Sequence, residues 1–238
     1  YYYFAWSNRL ILYYLKNGRT NIALYEAQKM LKEAQEEDDK TGLSRCYNIM
    51  SQIYTVKRLD SMAFEWQLKE IELTEKYDLE NYNISQTYSQ ISSYYINTNQ
   101  PEKALEALKK ADATAYSPTQ KISVQLEYVN YYSKFGDMQA AEKILNECKT
   151  AFDQDKRLWS IKKRLYNIEY VYYLQSKQYP KALEAAKKQE AEELNLSESI
   201  QNSVHYLTKG KIYSNMGNMS EAIKYLQMYI CLLYTSPS

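Results

Sequence analysis

The sequence predicts an all-α chain, a solenoid of about six helix-turn-helix hairpins. Three observations carry that expectation. Six times a tyrosine is followed nine residues later by an alanine: Tyr14/Ala23, Tyr54/Ala63, Tyr95/Ala104, Tyr132/Ala141, Tyr173/Ala182 and Tyr213/Ala222. The tyrosine-to-tyrosine steps, by subtraction of the residue numbers, are 40, 41, 37, 41 and 40. Self-similarity at a fixed period of this size indicates stacked supersecondary units rather than one closed core. Finally, the apolar residues recur at helical spacing, with no strand-like alternation.

Each pair brackets a turn. Gly18, Gly136 and Gly217 lie four residues after their tyrosines, where a helix ends and a positive φ is wanted. Asn99 holds that slot in the third unit, as the next best residue for a left-handed cap. Arg58 and Lys177 hold it in the second and fifth units, where another turn geometry is expected. Pro101 and Pro180 come just past the turn, near the first helical position, where the missing N–H is harmless. Asp60, Asp137 and Asn218 read as N-caps, and Asn218 with Glu221 has capping-box spacing.

Two amphipathic helices flank each turn. In the third unit Tyr88, Ile91, Ser92 and Tyr95 form one stripe, and Ala104, Leu105, Leu108 and Ala111 form its partner. Alanine at the crossing lets two helices approach to about 8–10 Å, and the facing tyrosine fills the space it leaves. Between units, residues 36–42, 76–83, 114–120, 152–156 and 194–199 read as loops. Ser117, Pro118 and Gln120 make a capping box with proline at the first helical position, opening the fourth unit.

Composition narrows the function. With 30 basic against 29 acidic residues the formal charge is +1, so no long-range field steers the chain to phosphate or a membrane. No run approaches the roughly 18 apolar residues of a membrane span. Five glycines and four prolines leave no GxxxxGK or GxGxxG loop for a phosphate. His205 is the only histidine, so neither a zinc site nor a Ser-His-Asp or Cys-His set can be assembled; no metal and no cofactor is expected, and no enzyme activity. Cys46 and Cys148 belong to non-adjacent units, too far apart for a disulfide, and Cys231 lies in the terminal octapeptide. The triplets at Asn83, Asn195 and Asn218 are what chance supplies in a chain rich in Asn and Ser. The 27 tyrosines could stack on nucleic-acid bases, but base stacking also needs a cationic groove, and the charge balance denies one. Packing between helices explains them better.

The chain resembles the tetratricopeptide repeats, whose 34-residue unit carries an aromatic, a small residue and a tyrosine on one helix and alanines on the next. The last unit matches best, with Tyr206, Gly210, Tyr213, Gly217 and Ala222. The second (Tyr47, Ser51, Tyr54, Ala63) and third (Tyr88, Ser92, Tyr95, Ala104) follow. The first, fourth and fifth carry Ile11, Val129 and Tyr170 where a small residue is usual. About six extra residues per unit add roughly 9 Å of helix across each hairpin. The resemblance covers about residues 4–230 and implies a right-handed superhelix, here expected as one domain over 1–230, whose first helices line the inner groove.

The resemblance also implies where a partner would lie. Positions six before the repeat tyrosine are Asn8, Asn48, Ser89, Leu126, Asn167 and Leu207; positions two before are Leu12, Gln52, Ser93, Asn130, Val171 and Lys211. Nine before come Arg45, Gln86 and Arg164. The polar members form a ladder of amides and hydroxyls with scattered cations, suited to the backbone of an extended peptide because an amide both donates and accepts. Arg45, Asn48 and Gln52 on one helix, with Ser89 and Ser93 on the next unit, make an incomplete clamp for an acidic peptide.

The final octapeptide, CLLYTSPS at 231–238, resembles a translated sequencing adapter, and the chain begins at Tyr1 inside an apolar run. The expectation is an internal piece of a longer protein with flanking domains. The leading reading is a non-catalytic scaffold that binds a protein or peptide in its groove, with no nucleic acid and no membrane contact by this segment. The alternative, from a resemblance to tyrosine-rich repeats of bacterial signalling proteins, is a sensory or regulatory segment beside a membrane histidine kinase or helix-turn-helix module. The compartment, cytoplasmic or periplasmic, is left open.

Overall fold

The computed structural model describes residues 2–193 and 198–235. They form helices and turns, with no strand among the described residues. The chain divides into two compact units, Tyr1–Ala115 and Tyr116–Ser238. In the first, α1 (Tyr2–Lys16), α2 (Thr20–Glu36), α3 (Lys40–Val56), α4 (Asp60–Tyr77), α5 (Ile84–Asn97) and α6 (Pro101–Thr114) pair as three hairpins. In the second, α7 (Pro118–Phe135) and α8 (Met138–Gln154) lead through a 3-10 segment, Lys156–Ile161, to α9 (Lys162–Gln175), α10 (Tyr179–Glu193), α11 (Glu198–Asn215) and α12 (Met219–Thr235).

The turns explain the nine-residue spacing. The N–H groups of Arg19, Leu59, Gln100, Gln178 and Asn218 each donate to the carbonyl of the tyrosine five residues back, at 2.8–3.0 Å. The carbonyls of those same residues then accept the N–H of the repeat alanine four residues on, at 3.0 Å. Five residues of Schellman closure and four of helix place the alanine opposite the tyrosine. In the fourth unit Gly136 donates to Tyr132, and Asp137 accepts from Ala141.

The residue between is left-handed every time: Gly18, Gly136 and Gly217 at φ 71, 97 and 76°, and Asn99 at 59°. Arg58 and Lys177 take the same conformation, at 58 and 59°, rather than a different turn. Their main-chain bonds repay the steric strain of a side chain at positive φ.

Asp38, at φ 52°, repeats this closure between hairpins, so the junction after α2 is only residues 37–39, shorter than the loop expected over 36–42. Similarly, α6 runs through Thr114, and α7 starts at Pro118 under the full capping box of Ser117 and Gln120. The loop expected over 152–156 is largely helix; α8 continues to Gln154, and Asp155 accepts from the Arg157 N–H to start the 3-10 segment. Asp60 is the first residue of α4 rather than its cap, while Asp137 and Asn218 accept from the N–H groups of Ala140 and Glu221. Of the loop expected over 194–199, residues 194–197 lie outside the described residues, as does Asn195, and residues 198 and 199 open α11.

All six repeat alanines are buried. The six repeat tyrosines are half-buried, as an amphipathic ring prefers. Between α5 and α6, the hydroxyls of Ser85 and Ser92 donate to the carbonyls of Ala111 and Ala104, at 2.8 and 3.0 Å. Only small side chains permit such an approach. In the first unit Ile11, Met30, Ile49 and Ile53 fill the core with Tyr14, Tyr47 and Tyr54 at its edge. In the second, Leu126, Val129, Leu145, Phe152, Leu158 and Leu165 pack together, and Ala182, Ala186 and Ile212 continue the packing toward α11. Burial pushes the thiols of Cys46 and Cys148 up to about 12, leaving both as small apolar side chains.

Gly210 occupies in the sixth hairpin the place that Ser92 holds in the third. A Cβ there would stand 2.8 Å from Leu226 Cγ and 2.9 Å from its Cδ2. Gly210→Ala should therefore destabilise the chain by about 1–3 kcal/mol, seen as a lower urea midpoint at unchanged slope.

Candidate functional site

The polar positions expected to meet a ligand fall into two groups. Gln86, Asn167 and Lys211 are exposed, and Asn8, Arg45 and Ser93 are half-buried; all six sit on the first helices of their hairpins. The others turn inward or join internal networks. Ser89 is buried, its hydroxyl donating to the Ser85 carbonyl at 3.0 Å.

Asn48 serves a buried carboxylate. Glu70, on α4, is 1 % exposed. Asn48 Nδ2 donates to its two oxygens at 3.3 and 3.1 Å, Asn81 Nδ2 to Oε1 at 2.9 Å, and the Thr87 hydroxyl to Oε2 at 3.1 Å. Gln52 Nε2 in turn donates to Asn48 Oδ1 at 2.6 Å. These donors come from α3, the loop after α4, and α5, so one carboxylate ties the second hairpin to the third. Burial pushes the Glu70 carboxyl above its ordinary 4.5, against the pull of the Asn81, Asn48 and Thr87 hydrogen bonds.

The second unit has two comparable centres. Glu127 on α7 accepts from Arg164 Nη2 at 3.0 Å and Asn130 Nδ2 at 2.8 Å, which occupies two of the expected ligand-facing residues. Glu169 on α9 pairs with Lys149 Nζ at 2.9 Å. Sequence reasoning missed all three glutamates, although a signal existed. Ala63, Gln67, Glu70, Ile71 and Thr74 fall on one helical stripe, and an acidic residue inside such a stripe is a buried one.

It also missed a cleft of about 410 Å³ in the second unit. Lys149, Phe152 and Asp153 of α8, Trp159 of the 3-10 segment, Lys162, Leu165, Tyr166 and Glu169 of α9, and Lys188 of α10 line it. Burial opposes the charge on Lys149, but Glu169 and Tyr173 outweigh it and raise its affinity for the proton. Hydrogen bonding to Tyr166 and Glu192 raises that of Lys162, and Glu184 that of Lys188. All three are ammonium ions at neutral pH. Among the described residues no group of three His, Cys, Asp or Glu could hold a metal ion, and no helix is long and apolar enough to cross a membrane. His205 is buried on α11.

The raised Glu70 carboxyl has a pH signature. An acid harder to ionise in the fold than in the unfolded chain adds no penalty below its ordinary 4.5, and stability is lost as pH rises through the folded value. The melting-temperature difference between Glu70→Gln and the parent should therefore move in the variant's favour as pH is raised from about 4 to about 7. A melting-temperature difference independent of pH would contradict the assignment.

Comparison with known proteins supplies the family. The model for the 26S proteasome subunit RPN7 matches residues 55–187, more than half of the chain, and a tetratricopeptide-repeat model matches residues 206–227. No curated protein matches. Among solved structures, the apo form of RapI superposes with a TM-score of 0.70 at 16 % identity, covering 93 % of this chain and 79 % of that one. PilW, described as a widely conserved type IV pilus biogenesis factor, gives 0.59 at 17 %, covering 98 % and 94 %. A Podosopora anserina kinesin light chain with nearly identical TPR-like repeats gives 0.54 at 16 %, covering 78 % and 92 %. Identities this low speak for the fold alone, and assembly into a proteasome is said only of the RPN7 subunits. With its alanine-and-tyrosine hairpins, the chain belongs to the RPN7 family and to the tetratricopeptide-repeat proteins at large, which are generally non-enzymatic scaffolds for protein interaction.

Proposed function

We propose that the chain is an interaction scaffold that holds an extended peptide or partner segment against the first helices of its hairpins. The observation that carries this reading is the polar set those helices present, with Gln86, Asn167 and Lys211 exposed and Asn8, Arg45 and Ser93 half-buried. In the first unit Asn8, Arg45, Gln86 and Ser93 come from α1, α3 and α5. In the second, Asn167 and Lys211 come from α9 and α11. Amides and hydroxyls match the alternating donors and acceptors of a peptide backbone, and the cations add attraction for a carboxylate. Asn48 and Gln52 contribute by fixing the backbone around Glu70. Asn130 and Arg164 do the same around Glu127. Their truncation would lower stability as well as binding, so they are poor probes of contact.

Surface residues are better ones. A displayed heptapeptide library should yield at least one class of binders whose affinity falls about tenfold or more in Arg45→Ala/Gln86→Ala. Because Arg45 is half-buried, the variant's melting temperature is measured alongside and binding is compared where both proteins are folded. If every class binds the variant as tightly as the parent, the first-helix face is not the binding face.

A further inference from the structure

Between the second and third hairpins, two rows of side chains meet at fixed register positions. Phe64, Gln67 and Glu70 of α4 lie one, four and seven residues after a repeat alanine. Tyr94, Gln90 and Thr87 of α5 lie one, five and eight residues before the next repeat tyrosine. The rows run antiparallel and pair in that order. The Phe64 and Tyr94 rings stack with centroids 4.0 Å apart, Gln67 Nε2 donates to Gln90 Oε1 at 3.2 Å, and the Thr87 hydroxyl donates to Glu70 at 3.1 Å.

Two other helices show the same rows to water. On α1 the before-tyrosine positions hold Tyr13, Arg9 and Trp6. Tyr13 is 59 % and Trp6 73 % exposed, and Arg9 between them is exposed as well. Their counterparts are enclosed. Cys46, Leu165 and His205 stand where Trp6 does, Ile53, Tyr172 and Ile212 where Tyr13 does, and none is more than 6 % exposed. On α12 the after-alanine row is Ile223, Leu226 and Tyr229, with Ile230 beside it. Ile223 and Ile230 are 55 and 49 % exposed, and Leu226 is half-buried where Ala27, Gln67 and Ala186 are buried. Contiguous apolar rows left in water mark interaction surfaces.

We propose that copies of this chain join head to tail, α12 of one lying antiparallel against α1 of the next through these rows. The pairing seen between α4 and α5 then sets Ile223 against Tyr13, Leu226 against the methylenes of Arg9, and Tyr229 against Trp6. An arginine can cover an apolar neighbour with its stem while its charge stays in water, and two aromatic rings add a preferred edge or offset contact. An antiparallel joint of α1 with its own copy, centred on the row, would instead bring two Arg9 guanidinium groups together. The proposed contact is heterologous, so each copy keeps one face for a further copy and no twofold dimer results. It uses none of the residues assigned above to the bound peptide.

Sedimentation velocity tests it, with the exposed Cys231 kept reduced. The weight-average mass of the parent should climb above the 28.2 kDa of one chain as concentration is raised from micromolar to millimolar. Tyr13→Glu and Ile223→Glu, both at exposed positions, should each stay at the single-chain mass, because every junction in either solution has one damaged half. Mixed in equal amounts they should reach twice that mass and no more, since the intact α12 of Tyr13→Glu can still meet the intact α1 of Ile223→Glu. Circular dichroism checks the fold, and Trp6→Glu or Ile230→Glu, on the same faces, replaces a variant that unfolds. Arg45→Ala/Gln86→Ala should associate as the parent does, which separates this contact from the peptide-binding face. A parent that stays at the single-chain mass overturns the inference and leaves the two faces to other proteins. Association as strong as the parent's in either glutamate variant overturns it too, as does a mixture that stays at the single-chain mass or a loss of association in Arg45→Ala/Gln86→Ala.

Discussion

The structure depends on a short relay of main-chain hydrogen bonds. In each hairpin but the fourth, the repeat tyrosine's carbonyl takes the N–H of the residue five ahead, whose own carbonyl takes the N–H of the repeat alanine. The second helix is thereby started at a set rotation and distance from the first. A methyl group then faces the first helix where a larger side chain would force the pair apart. Ser92 and Gly210 serve the same requirement from the opposite helix, the first by hydrogen bonding to the alanine carbonyl and the second by leaving room for Leu226. The tyrosines cover the edge of each contact, which is why so many are half-buried rather than fully enclosed.

Most of this was legible in the chain itself. Tyrosine and alanine at a fixed separation, glycine four residues past the tyrosine and proline just beyond it each state a local backbone preference, and all agree. The reading failed where the main chain overrode the side chain. Arg58 and Lys177 adopt the left-handed conformation that residue identity argues against, because the closure supplies the compensation. It failed again at 152–156, where acidic and amide residues suggested a loop. Phe152 instead packs in the core and carries α8 onward.

The site was less legible, and the reason is physical. Register identifies which residues share a face, but a polar side chain at a given register can point to solvent or satisfy a neighbour. Asn48 and Ser89 share a register, yet one serves Glu70 and the other is folded back on its own helix, while Asn167 is exposed. What decides is the presence of a buried carboxylate within reach, on the opposing helix as for Asn48 or one turn away as for Asn130. Glu70 and Glu127 draw in amides and a guanidinium that would otherwise face water, as a buried charge must be met by donors. The cleft at Trp159 escaped notice because it arises from an interruption of the repeat, and periodicity cannot describe what breaks it.

One consequence concerns the turns. Their closing bonds involve peptide groups alone, and glycine, asparagine, arginine and lysine all serve at the strained position. The identity of that residue is therefore nearly free to drift, at the modest expense of its steric strain. The tips of the hairpins can acquire new charges or chemical handles without shifting the scaffold beneath them, making them natural places for such an array to diversify or for an engineer to attach a label.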